Sequence, residues 1–159
     1  MSDRYLILTE FPLVTNPLSF LLLNRPFIRN YRWEPDRGTR FHVIDKDTGK
    51  VVKTCQTDAF FSFHHVNAFE QDGKLHVDLV AFADASVVDD LYLDHLRSGA
   101  VITATGKLTR CTIDLAGDDP VTLRVLDGAS VELPRFDYRR RAGHAYRYVY
   151  AAGNSPGAS

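Results

Sequence analysis

The sequence predicts an all-β fold with one short helix. Short apolar runs recur with turn residues between them, such as Asp47-Thr48-Gly49 and Asp72-Gly73. Within one run, Leu75, Val77 and Leu79 alternate with His76, Asp78 and Val80, the two-residue period of a half-buried strand. A single stretch places Val88, Leu91, Tyr92, His95 and Leu96 at helical spacing.

Taken in order, Arg40 to Asp45 and Val51 to Cys55 flank Lys46-Asp47-Thr48-Gly49-Lys50. Gly49 can supply a positive φ, so this reads as a hairpin. Phe60 to Phe69 and Lys74 to Phe82 form a second hairpin around Asp72-Gly73. Ser86 is placed to cap the start of the helix and Gly99 its end. Strands are then expected at Lys107 to Leu115, Val121 to Leu126, Ser130 to Leu133 and Tyr146 to Ala151. One domain is expected over residues 1–152. The small, polar residues from Gly153 to Ser159 read as a disordered tail.

The bulk properties are those of a globular protein. Of 159 residues, 45% are hydrophobic and 25% charged. The net charge of -1 offers nucleic acid no basic surface. Cys55 and Cys111 form no paired motif and read as free thiols of a reducing compartment. No signal peptide and no bilayer-length apolar run is present, so a cytoplasmic location is expected. Leu18, Phe20, Leu21, Leu22, Leu23 and Phe27 form a shorter apolar segment. It is either a core strand or buried loop, or a surface patch that touches a membrane.

The richest stretch is Phe63-His64-His65-Val66-Asn67-Ala68-Phe69-Glu70. Neutral imidazole suits iron, copper and zinc, and a histidine at a strand end is well placed to bind one. Successive strand side chains point to opposite faces, so His64 and His65 cannot both face one metal. Periodicity does not choose between them.

Taken as a string, this stretch resembles the iron-ligand motif of the carotenoid cleavage oxygenases. Glu132-Leu133-Pro134-Arg135-Phe136-Asp137-Tyr138, followed by Gly143-His144-Ala145-Tyr146-Arg147-Tyr148-Val149-Tyr150, resembles that family's E-x-P-x-x-x-Y and G-K-P-Y-x-Y-x-Y-G segment. Thr9-Glu10-Phe11-Pro12-Leu13 and Trp33-Glu34-Pro35-Asp36-Arg37-Gly38-Thr39-Arg40-Phe41 add weaker matches in the same order. The departures are His144-Ala145 in place of Lys-Pro, and Ala151 in place of the final glycine.

The resemblance implies a seven-bladed β-propeller. At about 40–45 residues per blade, this chain supplies about three or four blades, so it is expected to be a fragment or a truncated product. The resemblance selects His64 as a ligand of Fe(II), and Glu132 as the carboxylate that receives its N–H. It implies that three further histidine ligands lie outside the chain. The implied substrates are a carotenoid or apocarotenoid and dioxygen. A tunnel lined by Phe60, Phe61 and Phe63 is one expectation for the polyene, and ordinary core packing of those rings is the other. The resemblance also favours the membrane reading of the apolar patch, and the chain alone is expected to be inactive. The alternatives are a non-catalytic remnant that binds lipid or membrane, and a relative with isomerohydrolase or stilbene-cleaving chemistry.

Overall fold

The computed structural model describes residues 1–118 and 120–154. Among the described residues, ten strands form three antiparallel sheets. Tyr5–Glu10 (β1), Thr39–Asp45 (β4) and Val51–Thr57 (β5) make a three-stranded sheet in the order β1-β4-β5. Leu13–Thr15 (β2) and Tyr31–Trp33 (β3) pair alone. His65–Gln71 (β6), Lys74–Ala81 (β7), Lys107–Asp114 (β8), Thr122–Arg135 (β9) and Tyr150–Asn154 (β10) make a five-stranded sheet, ordered β10-β9-β8-β7-β6.

Both expected hairpins form. At the β6–β7 turn, Asp72 (φ 52) and Gly73 (φ 74) both take positive φ. That pair of conformations matches the right-handed twist of the flanking strands, and Asp-Gly adopts it readily. The main core lies between the two larger sheets and includes Tyr5, Phe41, Val43, Ala68, Leu75, Val77, Leu79 and Ile113. The alternation expected along β7 holds only in part, because Asp78 and Val80 are also fully buried. This strand has cover on both faces.

Helix is more frequent than expected. Among the described residues four short α-helices occur, at Pro17–Leu22 (α1), Ser86–Asp90 (α2), Leu93–Arg97 (α3) and Tyr138–Arg141 (α4). The single helix expected after Ser86 is broken at Tyr92, whose backbone is extended. Just before the break, Asp90 turns its carboxylate onto the backbone N–H groups of Thr103 and Ala104. Asp84 accepts from the Ser86 N–H at 2.8 Å, the capping contact expected from Ser86 itself. Gly99 ends α3 with φ 74, as expected.

Three strand expectations shift. Val121–Leu126 and Ser130–Leu133 are one strand, β9, and the break between them is a register shift against β8. The last strand starts at Tyr150 rather than Tyr146 and runs to Asn154, two residues into the expected tail. Residues 155–159 lie outside the described residues. The early strands β1 to β3 went unpredicted.

Candidate functional site

His64 stands immediately before β6, and Glu132 stands near the end of β9. Two strands, β7 and β8, separate those elements in the sheet. In a flat sheet, three spacings of about 4.8 Å would hold them far apart. The sheet instead curls at this end, and His64 Nδ1 lies 2.7 Å from Glu132 Oε2. The floor between them is Gly106. A Cβ built there would sit 2.6 Å from both the Val131 carbonyl oxygen and Val80 Cγ1. Only a residue without a side chain allows this approach.

The carboxylate is held by its own neighbour as well. The Leu133 N–H donates to Glu132 Oε2 at 2.6 Å. Glu132 Oε1 is buried and has no hydrogen-bond partner among the described residues. With Nδ1–H given to Glu132, a neutral His64 ring keeps its Nε2 lone pair free.

The pair opens into a cleft of about 360 Å³. Phe63, Val87, Leu91, Ile102, Val131 and Leu133 give it largely apolar walls. This is the shape of site expected for a ligand with long apolar surface and few polar atoms.

The three phenylalanines separate. Phe60 is 5% exposed and packs in the main core with Phe41 and Tyr5. Phe61 is 7% exposed and packs with Val80, Phe82, Ala85 and Val87. Neither lines this cleft, and both show the core packing that was the other expectation. Phe63 does line it, beside His64. The apolar segment also resolves. It is α1 and the turn after it, not a core strand or buried loop. Leu18, Leu21, Leu22, Leu23 and Phe27 are exposed, with Leu21 82% and Leu22 77% open to solvent. Phe20 is half-buried and stacks on Phe27 with ring centroids 4.9 Å apart.

The other histidines lie apart from His64. His65 turns to the opposite side, where Nε2 meets Thr9 Oγ1 at 2.9 Å. His42 lies against Thr54 and Glu10, and His76 against Thr112. Among the described residues, no three histidine, cysteine or carboxylate side chains gather into a metal site. The donor set fits Fe(II) only in part, since His64 offers one oriented nitrogen and the described residues bring no second ligand to it.

Sequence reasoning missed the role of Gly106 and the partners of Asn67. The Asn67 Nδ2 donates to the carbonyls of Arg141 and His144 at 3.0 Å each, and its Oδ1 accepts from the Gly143 N–H at 3.1 Å. Asn67 thereby fastens the α4 segment to the back of β6. Glu70 accepts from Ser2 Oγ at 2.8 Å and from the Arg4 N–H at 3.0 Å, tying the start of β1 to the same strand. Both side chains sit inside the histidine motif, which was the one available signal.

Comparison with known proteins places the chain in a family. The family model described as "RPE65: Retinal pigment epithelial membrane protein" matches residues 1–159. The chain belongs to this family, that of the carotenoid cleavage oxygenases. It is 30% identical to "Carotenoid isomerooxygenase" of Galleria mellonella, over 95% of this chain and 31% of that protein. It is 29% identical to "Beta,beta-carotene 15,15'-dioxygenase" of Homo sapiens, over 96% of this chain and 34% of that one. The chain thus spans about a third of these relatives. Among solved structures it is similar to cobalt-substituted Synechocystis ACO, with TM-score 0.78 and 26% identity, over 96% of this chain and 31% of that one. An ACO/RPE65 chimera gives TM-score 0.78 and 27% identity, over 98% of this chain and 33% of that one.

Proposed function

We propose that this chain is a segment of a non-haem Fe(II) dioxygenase that oxidatively cleaves a double bond of a carotenoid or apocarotenoid. The observation that carries the reading is the His64–Glu132 hydrogen bond of 2.7 Å at the edge of an apolar cleft. A metal-bound imidazole usually donates its other N–H to a carboxylate, which fixes the tautomer and raises the basicity of the ligating nitrogen. The names of the relatives and the cobalt-substituted neighbour support substrate class and metal.

In this reading His64 presents Nε2 to the iron, and Glu132 holds the Nδ1 proton. The remaining ligands come from the rest of the protein, whose relatives are about three times longer. Iron bound there supplies the binding and activation of dioxygen. The walls formed by Phe63, Val87, Leu91, Ile102 and Val131 hold the polyene and exclude water. The chain alone, with one ligand and about three or four of seven blades, is inactive.

We further propose that the exposed leucines of α1 touch a membrane surface, from which an apolar substrate enters. Their exposure supports this reading, since a contiguous apolar surface is costly to leave in water.

The deciding experiment extends the reading frame on both sides of residues 1–159 and expresses the longer protein. The reading expects bound iron and aldehyde or ketone products from a carotenoid, both lost on His64→Ala. Absence of iron from a folded, longer protein supplied with Fe(II) would reject it. Aldehyde products from residues 1–159 alone would reject the claim of inactivity. Isomerised retinoid or cleaved stilbene would identify a different chemistry at the same site.

A further inference from the structure

We infer that the left-handed backbone at Leu133 holds the Glu132 carboxylate on His64, which makes Leu133 a positioning residue of the pair. Pro134 starts the argument. It has no N–H to give to a ladder, and within a sheet proline sits at an edge or at a bulge. Here β9 pairs with β10 alone, since its ladder with β8 stops at Ser130, and the position is a bulge. The register shows the bulge. Tyr150 pairs with Arg135 and Ala152 with Glu132, so β9 passes through one more residue than β10 does.

The extra residue is absorbed at Leu133, which has φ 54. A leucine rarely adopts this conformation, because its Cβ crowds the backbone. Its effect is local and directed. The Leu133 N–H turns back onto Glu132 Oε2 at 2.6 Å, and the same oxygen faces His64 Nδ1 at 2.7 Å. Oε1 is left buried, with no partner among the described residues. Two donors on one oxygen fix the rotation of the carboxylate, and that oxygen in turn fixes the imidazole tautomer. Bulges of this kind re-aim side chains beside functional sites.

This role presupposes the Fe(II) reading of His64 for its purpose, although the hydrogen bond itself does not. The test therefore reads the tautomer and not turnover. The 159-residue chain is labelled with ¹⁵N, and the imidazole nitrogens of His64 are followed by long-range proton–nitrogen correlation at neutral pH. Glu132→Ala supplies the reference for a ring without its partner. Leu133→Gly adopts φ 54 freely and keeps the N–H. Leu133→Val and Leu133→Thr are β-branched and resist positive φ. Leu133 is 58% exposed, so none of these changes empties a packed site.

The expected result is the Nδ1–H tautomer in the unsubstituted chain and in Leu133→Gly. Leu133→Val and Leu133→Thr should move at least half of the population toward the Glu132→Ala reference. Two β-branched variants guard against a folding failure of one. An unchanged Nδ1–H tautomer in either folded variant overturns the inference, as does its absence from the unsubstituted chain. Iron in the longer protein is a separate reading. The expected tautomer pattern together with an iron-free longer protein supports the positioning role and rejects only the ligand assignment.

Discussion

Asp78 on β7 and Arg110 on β8 meet through two parallel hydrogen bonds of 2.8 Å each. Asp78 is fully buried, and the Tyr146 hydroxyl donates to it at 2.6 Å. The Arg110 guanidinium also lies 4.9 Å from the centre of the Phe69 ring. One buried carboxylate thus joins two strands to the segment that leads into β10. Asp78→Ala leaves Arg110 without its partner, and removing half of a buried pair costs about 3–5 kcal/mol. Tyr146→Phe should cost less, about 1.5–3 kcal/mol, since it loses one hydrogen bond to a charged group. Urea unfolding of both variants checks this, and equal losses would disprove the ranking.

The fold should weaken in alkali. Burial pushes the Cys111 thiol from an ordinary value near 9 up to about 12. Burial, with Asp78 adding to it, also raises the Tyr146 hydroxyl above its usual value. Between pH 9 and 12 the unfolded chain gives up the Cys111 proton while the native chain keeps it. Native protein then binds more protons, so stability falls as pH rises. The stabilisation is complete below pH 9 and is lost toward 12, at about 1.4 kcal/mol per pH unit for one such group. Denaturant midpoints across this range test it, and Cys111→Ser should flatten the slope.

Gly106→Val should close the cleft. Its Cβ meets Val131 and Val80 at 2.6 Å and Phe82 at 3.0 Å. Overpacking of this kind costs about 1–3 kcal/mol. The His64 Nδ1–H signal should weaken with it, as β8 and β9 are driven apart. A variant as stable as the parent would show that the sheet end yields freely.

In the longer protein, Glu132→Gln should lower iron affinity by about 10–100-fold, the range for lost second partners of metal-bound histidines. Equilibrium dialysis against a chelator reads this directly. His64→Ala should remove the ion, with at most about 1 kcal/mol lost from stability, because the ring is 44% exposed.

Leu21→Ser with Leu22→Ser should reduce sedimentation with lipid vesicles. Both side chains are largely exposed already, so the fold should hold. Unchanged sedimentation would place the membrane contact elsewhere or exclude it.

Much of this architecture was legible in the residues. The Asp72-Gly73 turn and the β4–β5 hairpin follow from local chemistry, because a positive φ announces itself in the residue type. The resemblance singled out His64 and Glu132, and they lie in contact. What escaped was governed by distant partners. Tyr5–Glu10 carries leucines on its outer face, which blurred its period. The helix after Ser86 breaks where Asp90 reaches a loop that sequence cannot place. Wall or core was left open for Phe60 and Phe61, and for Phe61 the bridge to Phe82 that places it in a core is a distant pairing. Gly106 gave no sign, because its contacts come from β7 and β9.

The Asn67 clasp bears on how this chain could diverge from its relatives. All three of its bonds go to main-chain atoms, at Arg141, Gly143 and His144. A clasp that grips only the main chain ignores which side chains sit at 141 and 144. The family's Lys-Pro could therefore drift to His144-Ala145 without loosening the segment. Variation is free at those positions as long as position 67 keeps its carboxamide.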